Sequence, residues 1–401
     1  MQQDKNLTEI KREPQCILCG KCLEVCPLLA ATGREEFSPR GKLLLLSRLA
    51  EAPDTLSEAA AERLASLCLS CGRCVRACPQ GTNVPAEVSR LRAKYPGFQR
   101  WLWKTWIERS GLLWPAAARL GAALRGKIPG AADGVAAGLA RKLATMSRGG
   151  AFAPWIVPRS FAACPQAPKV VLFPGCLARS VRTDWTQQAV ALVRRLGAQL
   201  LDAPDWACCG GTLGHAGLVE QQREAARTNV RAWRQAGRPT IVTFCASCHH
   251  GLAAYPDLDG LGFVDDEAKT WAAALTPLSG LAACAWFAVT DCAPDRVHYH
   301  QPCHAPVPDP DRVWLTRVSG GRLAPVDGKA CCGMGGVLQL AAPELSSRVA
   351  GNLWERLRAE PGDQVITGCS GCWLQLASTA PQGVLVGHWL DTLQEIETPT
   401  P

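Results

Sequence analysis

Short apolar runs in the second half of the chain have the length and composition of buried β-strands. Residues 170–173 (Val-Val-Leu-Phe) and 240–244 (Thr-Ile-Val-Thr-Phe) are rich in β-branched and aromatic side chains. Residues 297–300 and 364–367 are comparable short runs, and each of the four is followed within three residues by a cysteine in a turn. Amphipathic stretches lie between the runs. The pattern therefore predicts strands alternating with helices, an α/β arrangement.

The first ninety residues show a different periodicity. Leu43–Leu49 and Leu56–Leu67 place apolar side chains on one face, which predicts two helices. We expect this part of the chain to be helical rather than built from β-hairpins.

The α/β part of the chain occurs twice. Each copy holds one cysteine after its first strand, a Cys-Cys-Gly triplet and a Cys-x-x-Cys pair: Cys176, Cys208, Cys209, Cys245 and Cys248 in the first, and Cys303, Cys331, Cys332, Cys369 and Cys372 in the second. Between doublet and pair lie 35 residues in one copy and 36 in the other, and Asn229 and Asn352 each follow the doublet by 20. Two landmarks that agree in offset indicate an internal duplication. Loops at the carboxyl ends of parallel strands meet, so we expect the cysteines to gather there.

Composition indicates that these cysteines bind metal. The chain has 401 residues, 47% of them hydrophobic, which is enough for two to three domains with their own cores. The 21 cysteines are far above ordinary usage, and an odd number does not suit a fully disulfide-bonded secreted protein. Residues 1–10 contain no apolar export signal. We expect reduced thiols in a cytoplasmic protein, with peripheral attachment to the inner face of the cytoplasmic membrane left open.

One uncharged window, residues 270–290, is about long enough to cross a bilayer. Pro277, Ser279, Gly280 and several alanines make it weakly apolar and broken. We therefore expect it to pack inside a soluble domain.

A cysteine run near the N-terminus is the most specific chemical signal. The spacing Cys-x2-Cys-x2-Cys-x3-Cys-Pro is the ligand pattern of a bacterial-ferredoxin [4Fe-4S] cluster, and it occurs twice, 52 residues apart. In two-cluster proteins of this kind the fourth cysteine of a run serves the other cluster. This predicts one ligand set of Cys16, Cys19, Cys22 and Cys78, and another of Cys68, Cys71, Cys74 and Cys26. The alternative, a zinc ribbon, needs only Cys-x-x-Cys pairs.

Each repeat offers five thiolates, whereas zinc completes its shell with four ligands. A further iron-sulfur cluster in one or both repeats, distinct from the two cubanes, therefore fits better, with zinc or a redox dithiol as the alternative. Gly175, Gly210 and Gly333 are expected to let the backbone approach closely and to donate amide hydrogen bonds.

Other residues near the motifs have less certain roles. His249, His250, His300 and His304 flank motif cysteines, where they either bind metal, move protons or only satisfy local hydrogen bonds. Cys164, Cys284 and Cys292 belong to no motif, and we expect them to be small buried residues.

Residues 90–160 are strongly basic. They carry 13 positive side chains against Glu108 and Asp133, so the segment is +11 while the whole chain is +8. Trp101, Trp103, Trp106 and Trp114 lie among these charges. The mixture suits docking on an acidic partner protein or an anionic membrane surface. The alternative is a linker whose tryptophans fold back on neighbouring domains; no nucleic-acid-binding motif accompanies the charges.

Two ferredoxin-type runs followed by two Cys…Cys-Cys-Gly…Cys-x-x-Cys repeats resemble the iron-sulfur subunit of bacterial glycolate oxidase, over residues 16 to about 390. The iron-sulfur subunits of D-lactate and anaerobic glycerol-3-phosphate dehydrogenases are similar. The resemblance implies electron transfer from an FAD-bearing oxidase subunit to quinone or another acceptor, with glycolate or D-lactate as substrate. The complete pair Cys245 and Cys248 is more similar to the cysteine-rich subunit of heterodisulfide reductase, where ten such cysteines hold two non-cubane [4Fe-4S] clusters that act on thiols.

Together these patterns predict a multi-domain α+β protein. A helical ferredoxin-like domain with two [4Fe-4S] clusters (1–90) and a basic connecting segment (91–165) precede two tandem α/β cysteine-rich (CCG) repeats (166–290 and 291–401). No Gly-x-Gly-x-x-Gly run follows a strand, so we expect FAD on a partner subunit and assign no catalytic residue to this chain. Two other functions stay open: a reductase that itself cleaves a disulfide, and a structural zinc-binding assembly protein.

Overall fold

The computed structural model describes residues 16–52, 56–95, 98–124, 135–147, 152–162, 169–325 and 330–394. Its first part is helical, as predicted: α1 (Pro27–Thr32), α2 (Pro39–Glu51), α3 (Glu58–Ser66), α4 (Arg73–Ala77) and α5 (Val84–Lys94). Side chains at the N-caps define where the longer helices begin, because Ser38, Ser57 and Asn83 each accept a hydrogen bond from a first-turn amide. Leu64 and Leu91 are buried where α3 packs on α5.

The basic segment forms three helices and a strand: α6 (Phe98–Glu108), α7 (Ser110–Leu124), α8 (Val135–Met146) and β1 (Ile156–Ser160). Trp103 and Trp114 are buried in the main core, and Trp106 packs against Trp114 with ring centroids 5.8 Å apart. Trp101 is 58% exposed. Three of the four tryptophans therefore fold back on neighbouring structure, as the linker interpretation expected, and only Trp101 faces outward. None of the helices in the described ranges combines the length and apolar character of a membrane span.

The first repeat is a parallel sheet with helices around it. Its elements are β2 (Lys169–Phe173), α9 (Gly175–Ser180), α10 (Thr183–Arg195), β3 (Gln199–Leu200), α11 (Gly211–His215), α12 (Val219–Gln235), β4 (Thr240–Thr243), α13 (Ala246–Ala253), α14 (Glu267–Ala274), β5 (Leu275–Pro277), α15 (Leu278–Leu281) and β6 (Trp286–Val289). The strand order is β3-β2-β4-β5, all parallel. Strand β6 stands apart and pairs antiparallel with β1.

The second repeat has the same plan with one strand fewer. Its elements are β7 (Val297–His300), α16 (Pro310–Val318), α17 (Val337–Ala341), α18 (Pro343–Leu357), β8 (Gln364–Thr367), α19 (Ser370–Thr379) and β9 (Leu385–His388). The three strands are parallel in the order β7-β8-β9. The four strands predicted from sequence are all present, and both repeats are α/β units.

A stacked arginine joins the two repeats. The Arg182 guanidinium lies 4.1 Å from the ring centroid of Trp185 in the first repeat and 4.9 Å from that of Trp373 in the second. It also pairs with Asp391 at 2.6 Å, and Arg182 is only 1% exposed. A buried cation held by two aromatic faces and a carboxylate fixes the orientation of one repeat on the other.

A second buried ion pair fixes the start of α14. The Glu267 carboxylate accepts hydrogen bonds from Arg234 on α12 and from Arg238, and the Val264 amide donates to it at 3.3 Å. Hydrogen bonds from Arg234 lower the pKa of Glu267 to about 2, although burial acts in the opposite direction.

We predict that Glu267→Gln lowers the unfolding free energy at pH 7 by about 1–3 kcal/mol, since hydrogen bonds to charged groups are lost. The folded-state pKa lies below the ordinary value near 4.5, so this stabilisation is present above that pH and is lost as pH falls towards 2. Urea unfolding of variant and parent should therefore differ at pH 7 and converge below pH 4.5. The exposed pair Glu224–Arg227 supplies the control, because Glu224→Gln should change little. Equal effects of both variants would contradict the prediction.

Candidate metal centre

The two ferredoxin-type runs fold into matching loops. Leu18 and Ser70, which hold the same position in the two runs, both have positive φ (56° and 51°), and the glycine after each second cysteine does so too. Such left-handed turns bend the chain tightly enough to direct neighbouring thiols inward. In the second run the Ser70 amide also donates to Cys68 Sγ at 3.4 Å.

Four of the predicted ligands line one cavity. Cys26 comes from the first run, and Cys68, Cys71 and Cys74 come from the second. This is the exchange of fourth cysteines that the spacing predicts. Burial raises the pKa of Cys74 to about 12, and the thiols of Cys68, Cys26 and Cys22 add to the effect.

A buried lysine lies at the same cavity. Lys42 is only 2% exposed, and its ammonium donates to the Phe37 carbonyl. Burial lowers its pKa, whereas the nearby Cys68, Cys26 and Cys74 act to keep it charged. A positive charge at this place would favour the more reduced, more negative state of a bound cluster.

The other predicted ligand set lies at the surface. Cys16 and Cys19 are exposed, and Cys22 is close to both. Cys78 is half-buried; slight burial acts to raise its pKa, but hydrogen bonds from Thr82 lower it overall. The assignment of Cys78 to this set stays a prediction.

Strand register explains how the repeat cysteines meet. Phe173 of β2 is paired with Thr243 of β4, and His300 of β7 with Thr367 of β8. The strands of each pair therefore end level with one another, and the following turns carry the cysteines to one edge of each sheet. Every cysteine of the doublets and pairs except Cys208 is buried; Cys208, Cys176 and Cys303 are half-buried.

The ten repeat thiols form one continuous series. In the first repeat Cys176 contacts Cys208, and Cys209 contacts Cys248. The second repeat reproduces both contacts, Cys303 with Cys331 and Cys332 with Cys372, whose sulfurs are 3.3 Å apart. Cys245 contacts Cys369 and thereby joins the two sets. The expected gathering of five cysteines per repeat is present, and in addition the two sites adjoin.

Hydrogen bonds divide the thiols into donors and anions. The bond from Cys176 lowers the pKa of Cys208, and that from Cys303 lowers the pKa of Cys331. Amides of the predicted glycines support the same sulfurs, with Gly210 N at 3.5 Å from Cys208 Sγ and Gly333 N at 3.4 Å from Cys331 Sγ. The first cysteine of each doublet is therefore the favoured thiolate and the stronger metal ligand.

Two serines hold the sites of the two repeats together. Ser247 Oγ lies 3.0 Å from Cys369 Sγ, and Ser370 Oγ lies 3.2 Å from Cys245 Sγ. The Ala246 amide donates to the Gly368 carbonyl at 2.8 Å across the same contact. Sequence reasoning missed both serines, although each lies inside a Cys-x-x-Cys pair.

Close backbone approach is required at one glycine above all. Gly175 has φ +75°, and a Cβ placed there would lie 2.6 Å from Cys248 Sγ. Any side chain at this position would displace the sulfur, which agrees with the predicted approach of the backbone to the site.

The N-terminal domain contacts the second repeat through sulfur. Cys71, Leu69 and Cys331 share a small apolar cluster, with Cys303 packed against it. Burial raises the pKa of Cys71, and the neighbouring Cys331 adds to the increase. Arg73 donates to the Ala330 carbonyl at 2.8 Å, immediately before the second doublet. Thiols of the N-terminal domain, the second repeat and the first repeat thus follow one another without a break.

The flanking histidines differ in their surroundings. His249 is bonded to Thr243 Oγ1 at 3.0 Å and His304 Nε2 to the Ser70 carbonyl at 3.1 Å. His300 lies within ligand distance of Cys332 and Cys372, and its buried Nε2 has no hydrogen-bond partner in the described part of the chain. Hydrogen bonding alone therefore explains His249 but not His300.

The three cysteines outside the motifs are not the uniform buried residues we expected. Cys292 is exposed, and Cys284 is half-buried and disulfide-bonded. Cys164 lies outside the described residues.

The donor set fits iron-sulfur clusters. Thiols are the ligands these clusters use, four of them line the cavity at Cys26, and five are gathered in each repeat. When bound, [4Fe-4S] clusters take up and release single electrons. The protein contributes the sulfur ligands, the amide hydrogen bonds at Gly210 and Gly333, and the apolar surroundings that exclude water.

Comparison with known proteins agrees with this division. Residues 14–82 match the 4Fe-4S dicluster domain, and residues 170–253 and 297–377 each match the cysteine-rich domain. The chain is thus an iron-sulfur protein with a ferredoxin-like dicluster domain followed by two cysteine-rich domains.

The individual relatives are similar over nearly the whole chain. The probable glycolate oxidase iron-sulfur subunit of Bacillus subtilis is 25% identical, covering 90% of this chain and 87% of its own. The glycolate oxidase iron-sulfur subunit of Escherichia coli is 22% identical, covering 95% and 93%. A subunit of the dihydromethanophenazine:CoB–CoM heterodisulfide reductase of Methanosarcina acetivorans is 25% identical, covering 92% and 90%. The resemblance to the glycolate oxidase iron-sulfur subunit is confirmed.

We predict that Cys332→Ser removes iron and one electron paramagnetic resonance signal that the N-terminal clusters do not produce. Cys332 links Cys331 to Cys372, so its loss opens the ligand set of the second repeat. Iron and sulfide should be measured on anaerobically purified protein, with the exposed Cys292→Ser as the control that keeps both. Total iron of only about eight atoms per parent chain would contradict the prediction, because two cubanes account for that number.

Proposed function

We propose that this chain is the iron-sulfur electron-transfer subunit of an FAD-dependent complex that oxidises a 2-hydroxy acid, glycolate or D-lactate. The observation that carries the proposal is the unbroken series of thiols from Cys71 through the second repeat to the first. A protein that only stored metal or folded around zinc would not need its metal sites to adjoin. The glycolate oxidase subunits among the relatives support the same role.

The residues around the sulfurs are arranged for fixed geometry rather than for binding a substrate. Ser247 and Ser370 hold Cys369 and Cys245, and Lys42 places positive charge beside the N-terminal ligands. We found no nucleotide fingerprint in the sequence, so the flavin that removes the hydride is assigned to a partner oxidase subunit. Quinone or another carrier would receive the electrons.

The basic helices supply a surface for docking. Trp101, Leu102, Leu112, Leu120 and Leu139 are exposed large apolar side chains on α6, α7 and α8. Lys104 and Arg109 lie on or next to α6, and Arg109 is exposed. Exposed aromatic and aliphatic groups among positive charges suit an acidic surface of the partner subunit or an anionic membrane face.

A second candidate is a reductase of the heterodisulfide type. It is favoured by one observation, the direct contact of Cys245 with Cys369, which places two five-cysteine sites side by side. The relative from Methanosarcina acetivorans is named as part of a heterodisulfide reductase. In this case the chain would itself act on a disulfide.

We predict that the purified chain alone does not oxidise glycolate or D-lactate, because it offers no flavin site. Adding the FAD-linked partner should restore reduction of an artificial dye. Substrate oxidation by the isolated chain would refute the relay, and reduction of a disulfide by the isolated, pre-reduced chain would favour the second candidate.

We also predict that Lys104→Glu with Arg109→Glu releases the protein from its partner or membrane while iron content is unchanged. The attraction should weaken with salt in the parent, since the Debye length falls to about 3 Å at 1 M. Arg231→Glu with Arg348→Glu makes the same charge change at exposed positions elsewhere and should not release the protein. Co-sedimentation with vesicles of anionic lipid, compared with co-purification with the flavoprotein, separates the two surfaces. Binding that withstands both salt and charge reversal would leave α6–α8 as a linker only.

A further inference from the structure

Three histidines meet beside the cysteine sites without belonging to them. His215 ends α11, His250 lies on α13, and His304 follows Cys303 in the second repeat. The ring centroids of His250 and His304 are 4.4 Å apart, and those of His215 and His304 are 5.3 Å apart. One ring nitrogen of each lies within 4.8 Å of the others. Three donor atoms at this separation can share one ion after small side-chain rotations.

The duplication shows that the fold does not require histidine here. Counted from the matching cysteines, His304 corresponds to Leu177, His215 to Leu338 and His250 to Leu374. Leu177 and Leu338 are buried, and Leu374 packs against the core. The other copy thus uses leucine at all three equivalent positions, and histidine occurs at the three that come together.

One of the rings is already oriented as a metal ligand would be. His304 Nε2 lies 3.1 Å from the Ser70 carbonyl, and donating its proton there leaves Nδ1 free to bind. Metal-binding histidines commonly donate their second nitrogen to a backbone carbonyl in this way. Ser70 lies between Cys68 and Cys71, so the cluster of histidines joins the N-terminal domain to both repeats.

We propose that His215, His250 and His304 form a binding site for one divalent first-row transition-metal ion. Imidazole is a preferred ligand of zinc, iron, copper and nickel, and three histidines leave a fourth position for water or a small ligand. His250 is exposed, which gives an ion a route from solvent. This site is separate from the clusters and does not depend on the relay.

Charged neighbours act in both directions. Arg76 and Arg92 bring positive charge near the histidines and oppose a cation. Arg92 is engaged with the Ala65 and Cys68 carbonyls at 2.7 Å, and it also donates to the His215 carbonyl, which fixes the backbone of that ligand. Cys245 and Cys331 add negative charge near His304. The binding site therefore rests on three neutral nitrogen donors rather than on net charge.

Zinc binding to the complete, iron-loaded protein tests the proposal. After dialysis against a chelator and addition of Zn²⁺, metal analysis should find one zinc per chain with iron unchanged. X-ray absorption at the zinc edge should show nitrogen or oxygen at about 2.0–2.1 Å and no sulfur at about 2.3 Å. Replacement of all three histidines by leucine, the residue of the other repeat, should abolish this zinc. His249→Gln is the control, because that ring is bonded to Thr243 and should leave zinc binding intact.

Single variants keep the test decisive if the triple variant loses iron. His250→Leu changes the exposed ligand and should weaken zinc binding at least about tenfold while iron and the thermal midpoint of the zinc-free protein stay unchanged. Zinc should raise the thermal midpoint of the parent and not that of the variant. No bound zinc, a shell containing sulfur, or equal affinity in parent and His250→Leu would each overturn the proposal.

Discussion

Sulfur crowded into a low-dielectric interior is the constraint on which the rest of this structure depends. Ten thiols of the repeats contact one another in series, and most of them are buried. They cannot all ionise together, so the hydrogen bonds from Cys176 and Cys303 stabilise only Cys208 and Cys331 as anions. Positive iron would remove this repulsion, and its binding free energy would then contribute to folding. Metal loading and the packing of the two repeats are therefore coupled in this protein.

The N-terminal domain is attached to the same region by a buried arginine. Arg92 is 5% exposed and donates to carbonyls around Cys68 and to that of His215. The chain after His215 comes so close that a Cβ on Gly217 would lie 2.6 Å from the Ala93 amide nitrogen. Since the same loop carries Cys68 and Cys71, this contact fixes the position of the N-terminal sulfurs against Cys331. The relay geometry thus depends on an interface that contains no metal ligand of its own.

Local features of the structure could be predicted from sequence, whereas its long-range contacts could not. The strand at 170–173 and the matched cysteine spacings determine which turns meet within one repeat, because short buried strands in register end together. Nothing in those spacings encodes the approach of Cys245 to Cys369. That contact follows from the packing of Arg182 between Trp185 and Trp373, residues 191 positions apart at the extremes. Buried Lys42 was equally hidden, since a lysine on an amphipathic helix is ordinarily solvated.

The duplication has kept the sulfur scaffold and changed the residues around it. His300, beside Cys332 and Cys372, corresponds to Phe173 in the first repeat, where the ring packs on Trp206 instead. The second repeat also carries the contact with Cys71, whereas the first is reached only through Cys245. Two copies with the same ligands thus have different neighbours, and different neighbours give bound clusters different reduction potentials. In the relay proposed here the two repeats are successive, unequal sites, which is how a duplicated domain can give direction to electron flow.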